Sequence, residues 1–306
     1  MPSQQNITAA GFALAASAIL SFIDNFVASV AEEAGLWQFQ VFRTMFALPM
    51  LLVASRMMGR PLRPVNHKGL IGRSLIVSVG LLIYFASLGN LPVAQAGAGL
   101  FSAPLWVALL TVFLFRQRLG AIGIVAVVLG FVGALMLLQP EFRNFTTLSL
   151  MPLAAGLFYG LGMMLTRHWC ADENPITLAI GIFLSIGIAG VVMLGAVTLW
   201  PGEEFISLPW VEPSGRFLVL TVFQAFGAVV AVTLIAQAYR IGSPAVVAVF
   251  EYSFLIFACL WASLLWNTAT NPLAWAGIVI ILISGLLMAF TQRRTPNATA
   301  SVRIRL

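Results

Sequence analysis

Charge is what this chain has least of. Only 8% of its 306 residues are Asp, Glu, Lys or Arg, while 60% are hydrophobic. A soluble domain carries about 25% charged and about 45–50% apolar residues. The balance therefore excludes a soluble enzyme, a nucleic-acid-binding domain and a disordered protein. Cysteine is nearly as scarce, and Cys170 and Cys259 cannot build a disulfide framework. The motifs of common chemistries are missing too. There is no Gly-x-x-x-x-Gly-Lys-Ser/Thr loop to hydrolyse ATP, no His-Glu-x-x-His site and no Gly-x-Ser-x-Gly elbow. His67 and His168 both fall in predicted loops, so they offer no haem-binding pair. No catalytic residue, metal site or cofactor is expected. The net charge of +6 gathers in short loops and tails, where it reports membrane orientation rather than a nucleic-acid partner.

Long apolar runs are what the chain has in abundance. A spanning helix needs about 20 mostly apolar residues, and ten stretches qualify: 8–30, 36–57, 72–90, 92–115, 120–139, 150–168, 176–199, 217–239, 244–266 and 271–291. Helix-breaking punctuation separates them, as at Asn174-Pro175, Trp200-Pro201-Gly202 and Gly242-Ser243-Pro244. The first stretch is too long, and its flank too poor in cations, for a cleaved signal peptide. Thirteen of the sixteen Lys and Arg, among them Arg60, Lys68, Arg73, Arg116, Arg167, Arg240 and Arg293, fall on one side of this arrangement. Only Arg143 and Arg216 fall on the other, and Arg43 lies inside a span. The basic side is expected to be cytoplasmic, with both termini inside.

The chain folds on itself at about residue 145. Gly123, Gly130 and Ala134 in the fifth span recur in register as Gly277, Ser284 and Met288 in the tenth. Leu100-Phe101-Ser102-Ala103-Pro104 aligns with Val249-Phe250-Glu251-Tyr252-Ser253, and Pro92 and Pro244 open the two matching helices. Five spans per half is an odd number, so the second copy is inserted upside down. Such inverted repeats characterise secondary transporters that hold a solute near the midplane.

With Phe42-Arg43, Ala103-Pro104-Leu105-Trp106, Thr166-Arg167 and the stretch 244–266, the chain resembles the drug/metabolite transporter superfamily, in its ten-helix EamA type, over its whole length in two copies. The resemblance implies a carrier, all-helical, with repeats at 1–145 and 146–306 and a midplane cavity formed by spans one, three, four, six, eight and nine. Family members export amino acids and other metabolites, or import compounds such as riboflavin or S-adenosylmethionine. One departure stands out. Where the family often has a Gly-Glu-Arg/Lys turn after spans four and nine, this chain has Arg116-Gln117-Arg118 and Asn267-Thr268-Ala269.

An ionisable residue inside a span costs at least about 2.5–3.5 kcal/mol and is a functional hypothesis by default. Three stand out: Asp24, Arg43 and Glu251. Asp24 and Arg43 lie at equal depth on consecutive spans, which suggests a structural ion pair; solute contact by one of them is the other reading. Glu251 lies near the midplane with no cation at its depth. It is read either as a proton- or cation-exchanging acid or as a neutral acid donating one hydrogen bond. Gln95, Ser102 and Trp106 share one face of the fourth span. With Tyr84, Tyr159 and Gln224 they complete the solute-binding candidates, with ordinary packing the alternative for each. The expected protein is a membrane carrier of a small polar or amphipathic organic solute, exporting by alternating access, with uptake the second direction. The bilayer and the solute are its partners, proton coupling is open, and the carrier is a monomer or a homodimer. A membrane-embedded enzyme is the remote alternative.

Overall fold

The computed structural model describes residues 2–59, 62–87, 93–114, 116, 119–140, 150–267 and 271–294, and within them the secondary structure is helical. The helices are α1 (Pro2–Asp24), α2 (Val27–Ala31), α3 (Leu36–Met57), α4 (His67–Ser87), α5 (Val93–Leu100), α6 (Ala103–Phe113), α7 (Ala121–Leu138), α8 (Met151–Trp169), α9 (Pro175–Leu199), α10 (Gly215–Ile241), α11 (Pro244–Glu251), α12 (Ser253–Trp266) and α13 (Pro272–Arg294). Seven of the expected spans are single helices. The first, fourth and ninth are each broken in two, as α1/α2, α5/α6 and α11/α12.

Among the described residues, 8 helical segments are long and apolar enough to cross a membrane. The two expected spans outside that set have visible reasons. The fourth keeps only Gly97–Phe113 as a shorter apolar helix, and α8 carries Arg167 and His168 in its last turn. His168 thus ends a helix and His67 begins one, rather than lying in loops. Val192, Val219 and Phe226 are 65%, 70% and 61% exposed, a surface that only lipid would cover.

Local chemistry sets the helix ends. Asn174 accepts a hydrogen bond from Ile176 N (3.0 Å) ahead of Pro175, and Ser214 accepts one from Phe217 N (3.0 Å). Both satisfy amides that a helix start leaves free. At the break after α5 the Ser102 hydroxyl donates to Gly99 O at 2.5 Å, and Pro104, which has no N–H, opens α6.

The main packings are α7 on α13, α4 on α8, α1 on α10 and α3 on α9. Glycine permits the closest of them. A Cβ on Gly277 would lie 2.7 Å from Gly133 O, and one on Gly133 would lie 2.8 Å from Gly277 O. In the α4/α8 seam a Cβ on Gly80 would meet Tyr159 N at 2.6 Å. Small residues at such crossings bring helix backbones into contact where no hydrophobic effect drives association.

Polar ties gather at the two ends of the bundle. At one end Glu173 Oε1 accepts from Val65 N (2.8 Å) and Asn66 N (2.6 Å), Arg240 donates to Glu173 O (3.2 Å), and Ser243 N donates to Asn6 Oδ1 (2.8 Å). At the other, Gln38 pairs through both amide atoms with the Val211 backbone (2.7 and 2.8 Å), and Arg216 pairs with Glu33 at 3.0 Å. The Ser214 hydroxyl, and then Arg216, hold the Glu33 carboxyl below its ordinary range. Its contribution to this latch is therefore present at neutral pH and lost as the pH falls through that lowered value.

Arg73 corrects the charge count. It is counted above among the cations of the basic side, but it lies inside α4, fully buried against α8 and α9. Its Nε donates to Thr166 Oγ1 (2.7 Å) and its Nη1 to Leu178 O (3.0 Å).

Candidate functional site

The polar centre of the bundle forms where the ninth span breaks. Glu251 is the last residue of α11, and each of its carboxylate oxygens is taken by a tyrosine. Tyr159 of α8 donates to Oε1 at 2.6 Å, and Tyr239 of α10 donates to Oε2. The geometry follows from helix direction. Side chains lean toward the N-terminus of their own helix. Across the tight Gly242-Ser243-Pro244 turn the antiparallel α10 and α11 therefore lean their side chains toward each other, and Tyr239 meets Glu251. Tyr159 is held by the α4/α8 seam, where Gly80 lies against its backbone.

Two phenol donors suit a charged carboxylate, because each hydroxyl has one proton to give. They also suit a neutral acid, with the Glu251 proton pointing to one phenol oxygen and the other phenol donating to its second oxygen. The same heavy-atom arrangement thus holds either protonation state. Among the described residues, the ion pairs within 4.0 Å join Arg216 to Glu32 and Glu33, so no cation fixes Glu251 in its charged form.

A second set lies toward the other end of the bundle. Asp24 closes α1 and is exposed although it lies seven residues inside the apolar segment that ends at Ala31. Arg43 of α3 stacks its guanidinium over the rings of Phe39 (5.7 Å) and Phe183 (5.9 Å), and its Nε is buried without a hydrogen-bond partner. The charges of Asp24 and Arg43 act on each other, and Tyr84 of α4 feels Asp24. No contact within 4.0 Å joins the two charges, however, so the expected direct ion pair is not formed. The reason is lateral: α1 packs chiefly on α10 and α3 chiefly on α9, and α10 lies against both.

The remaining candidates divide. Gln224 is 1% exposed and donates its amide to Ile23 O, closing the end of α1 beside Asp24 rather than lining a free wall. Ser102 is 3% exposed, and a Cβ on Gly156 would lie 2.6 Å from its Oγ, so it packs into the α6/α8 contact. Trp106 is half-buried, with its Cβ 3.7 Å from where a Gly160 Cβ would be. Gln95 falls in α5, and its side chain lies outside the described residues.

Three residues of this region escape a reading of spans alone. Tyr239 is two residues from the end of α10 and resembles an interface aromatic until its lean toward Glu251 is considered. Arg73 of α4 brings its Nη2 to 3.9 Å from the Sδ of Met163, which is one turn along α8 from Tyr159. Trp261 donates its indole N–H to Ala18 O at 3.1 Å and ties α12 to α1.

The profile of the EamA-like transporter family matches this chain twice, over residues 7–139 and 147–290. The chain belongs to that family. The transporter is similar to a riboflavin transporter of Rhizobium johnstonii, at 24% identity over 270 residues that cover 88% of this chain and 84% of the relative. A pseudopaline exporter of Pseudomonas aeruginosa is 21% identical over 253 residues, covering 82% and 85%. An S-adenosylmethionine uptake transporter of Rickettsia conorii is 21% identical over 256 residues, covering 84% and 82%. A solved crystal structure superposes on this EamA-family chain with a TM-score of 0.79 at 16% identity, over 94% of this chain and 98% of that one, which establishes the fold. The protein is accordingly a multi-pass transporter of the inner membrane and not an enzyme.

Proposed function

We propose that this EamA-family protein is a secondary carrier that exports a small polar or amphipathic organic metabolite by alternating access, with Glu251, Tyr159 and Tyr239 at the centre of its cycle. The observation that carries the proposal is an acid at a helix break, held by two phenols and by no cation among the described residues. A carboxyl so placed can change protonation without rebuilding its surroundings. Uptake is the second reading, and the S-adenosylmethionine uptake transporter among the relatives favours it. A thermal-stability screen of purified protein against single metabolites tests the proposal. A solute that raises Tm in the wild type and not in Glu251→Gln supports it. A stabilising solute indifferent to Glu251 contradicts it.

In this reading the ten spans form two inverted repeats, 1–145 and 146–306, with both termini cytoplasmic. Two features support it: the double family match and the symmetry of the packings. Exchanging each span of one half for its counterpart turns the α4/α8 contact into α1/α10 and leaves α3/α9 and α7/α13 unchanged. The orientation rests on the basic residues, of which Arg73 no longer counts. Single cysteines at Arg63 and Glu203 test it by impermeant labelling of intact cells. Glu203 is expected to react and Arg63 to stay silent, and the reverse would invert the topology. Cys170 adds little background, because it is 1% exposed and burial pushes its thiol up to about 11, and Cys259 is replaced in both variants.

A further inference from the structure

We infer that Asp24 and Arg43 are the two poles of a receptor for an amphoteric solute, one carrying a cationic and an anionic group a few ångströms apart. The inference rests on the carrier reading and narrows its substrate class. The two charges lie at matched depth, six to seven residues from the same end of the bundle, or about 10 Å at 1.5 Å per residue. Asp24 makes no ion pair and no side-chain hydrogen bond with any described residue, and it is exposed. Arg43 makes no ion pair either, and its Nε is buried with no partner, although two aromatic rings hold the guanidinium in place.

Opposite charges at one depth of a membrane would ordinarily be paired, since unpaired charges there are costly. Here they are kept apart. Their helices have different main partners, α10 for α1 and α9 for α3, and Gln224 fixes the end of α1 by bonding Ile23 O, next to Asp24. Tyr84 of α4 feels the Asp24 charge. Asp24 and Arg43 thus stay unpaired on two helices that share the neighbour α10.

A solute with both charges satisfies both poles at once. A solute with a cation alone would be repelled by Arg43, and one with an anion alone by Asp24, so the arrangement selects by exclusion as well as by attraction.

Affinity selection from a uniformly 13C-labelled bacterial metabolite extract, on the full-length protein in nanodiscs, tests this directly. The retained compounds are identified by mass spectrometry and sorted by charge type. The wild type is expected to retain amphoteric compounds, and Asp24→Asn and Arg43→Gln are each expected to lose them by tenfold or more. The exchanged double variant Asp24→Arg/Arg43→Asp keeps one charge of each sign and is expected to regain part of the retention. Should the variants fail to fold, the charge type of the compounds retained by the wild type still decides. Retention of neutral or singly charged compounds that depends on Glu251 would overturn the inference and leave the carrier standing. Retention of nothing above empty nanodiscs would overturn both.

Discussion

Glu251→Gln should yield a transporter that inserts and folds like the wild type yet moves its solute at less than a tenth of the wild-type rate. Gln keeps the volume of the side chain and one oxygen that accepts a phenol hydroxyl. Its amide nitrogen cannot accept the second, so either Tyr159 or Tyr239 must turn its hydroxyl and receive a hydrogen bond instead. That exchange is compatible with a folded core. What Gln cannot do is gain or lose a proton, or hold a full charge against a cationic group. Hydrogen bonds to charged groups are worth about 1.5–3 kcal/mol, and each 1.4 kcal/mol is about tenfold. A loss of about 10- to 100-fold follows, and the pH dependence of transport should flatten. Tyr159→Phe and Tyr239→Phe each remove one donor and should act in the same direction with smaller effect. Transport by Glu251→Gln at the wild-type rate and with the wild-type pH profile would make Glu251 a packing residue.

Gly277→Val should strongly destabilise the scaffold. The first atom of any new side chain would lie 2.7 Å from Gly133 O and 3.0 Å from Leu137 N, both backbone atoms that cannot swing away. Overpacking of a tight interior typically costs about 1–3 kcal/mol, and Val adds two methyl groups beyond the offending Cβ. The α7/α13 pair must separate, so a lower Tm and a poor yield of inserted protein are expected. Gly285→Ala is the matched control. Its nearest neighbour, Phe250 Cε1, would lie 3.9 Å away, which is ordinary contact. Replacing a helical Gly with Ala should gain up to about 1 kcal/mol. Equal thermal stabilities for the two variants would contradict the proposed close approach.

Depth along the membrane was legible in the sequence, whereas position around each helix was not. Leu36–Met57 coincides with the expected 36–57, and Glu251 and Tyr159, chosen independently from two different spans, meet at 2.6 Å. Apolar length and punctuation determine such features directly. The error at Asp24 and Arg43 has the opposite origin. Their equal depth could be counted from the chain, but a residue count carries no information on which helix stands between α1 and α3, and α10 does. Arg73 misled for a related reason. Near a span end a long side chain can either reach outward to the interface or turn inward, and only the packing of α8 and α9 decides. Ser102 is read from the sequence as either a solute contact or ordinary packing, and the close crossing that Gly156 allows puts its hydroxyl in the packing.

In the proposed cycle a solute crosses the membrane only with a working Glu251. The most direct test is uptake by proteoliposomes from a 13C-labelled metabolite extract, followed by mass spectrometry of the interior. Wild-type protein, Glu251→Gln and empty liposomes are compared over a range of external pH. At least one compound should enter with the wild type at a pH-dependent rate, and at a tenth of that rate or less with Glu251→Gln. An interior identical in composition for wild type, variant and empty liposomes would contradict the account.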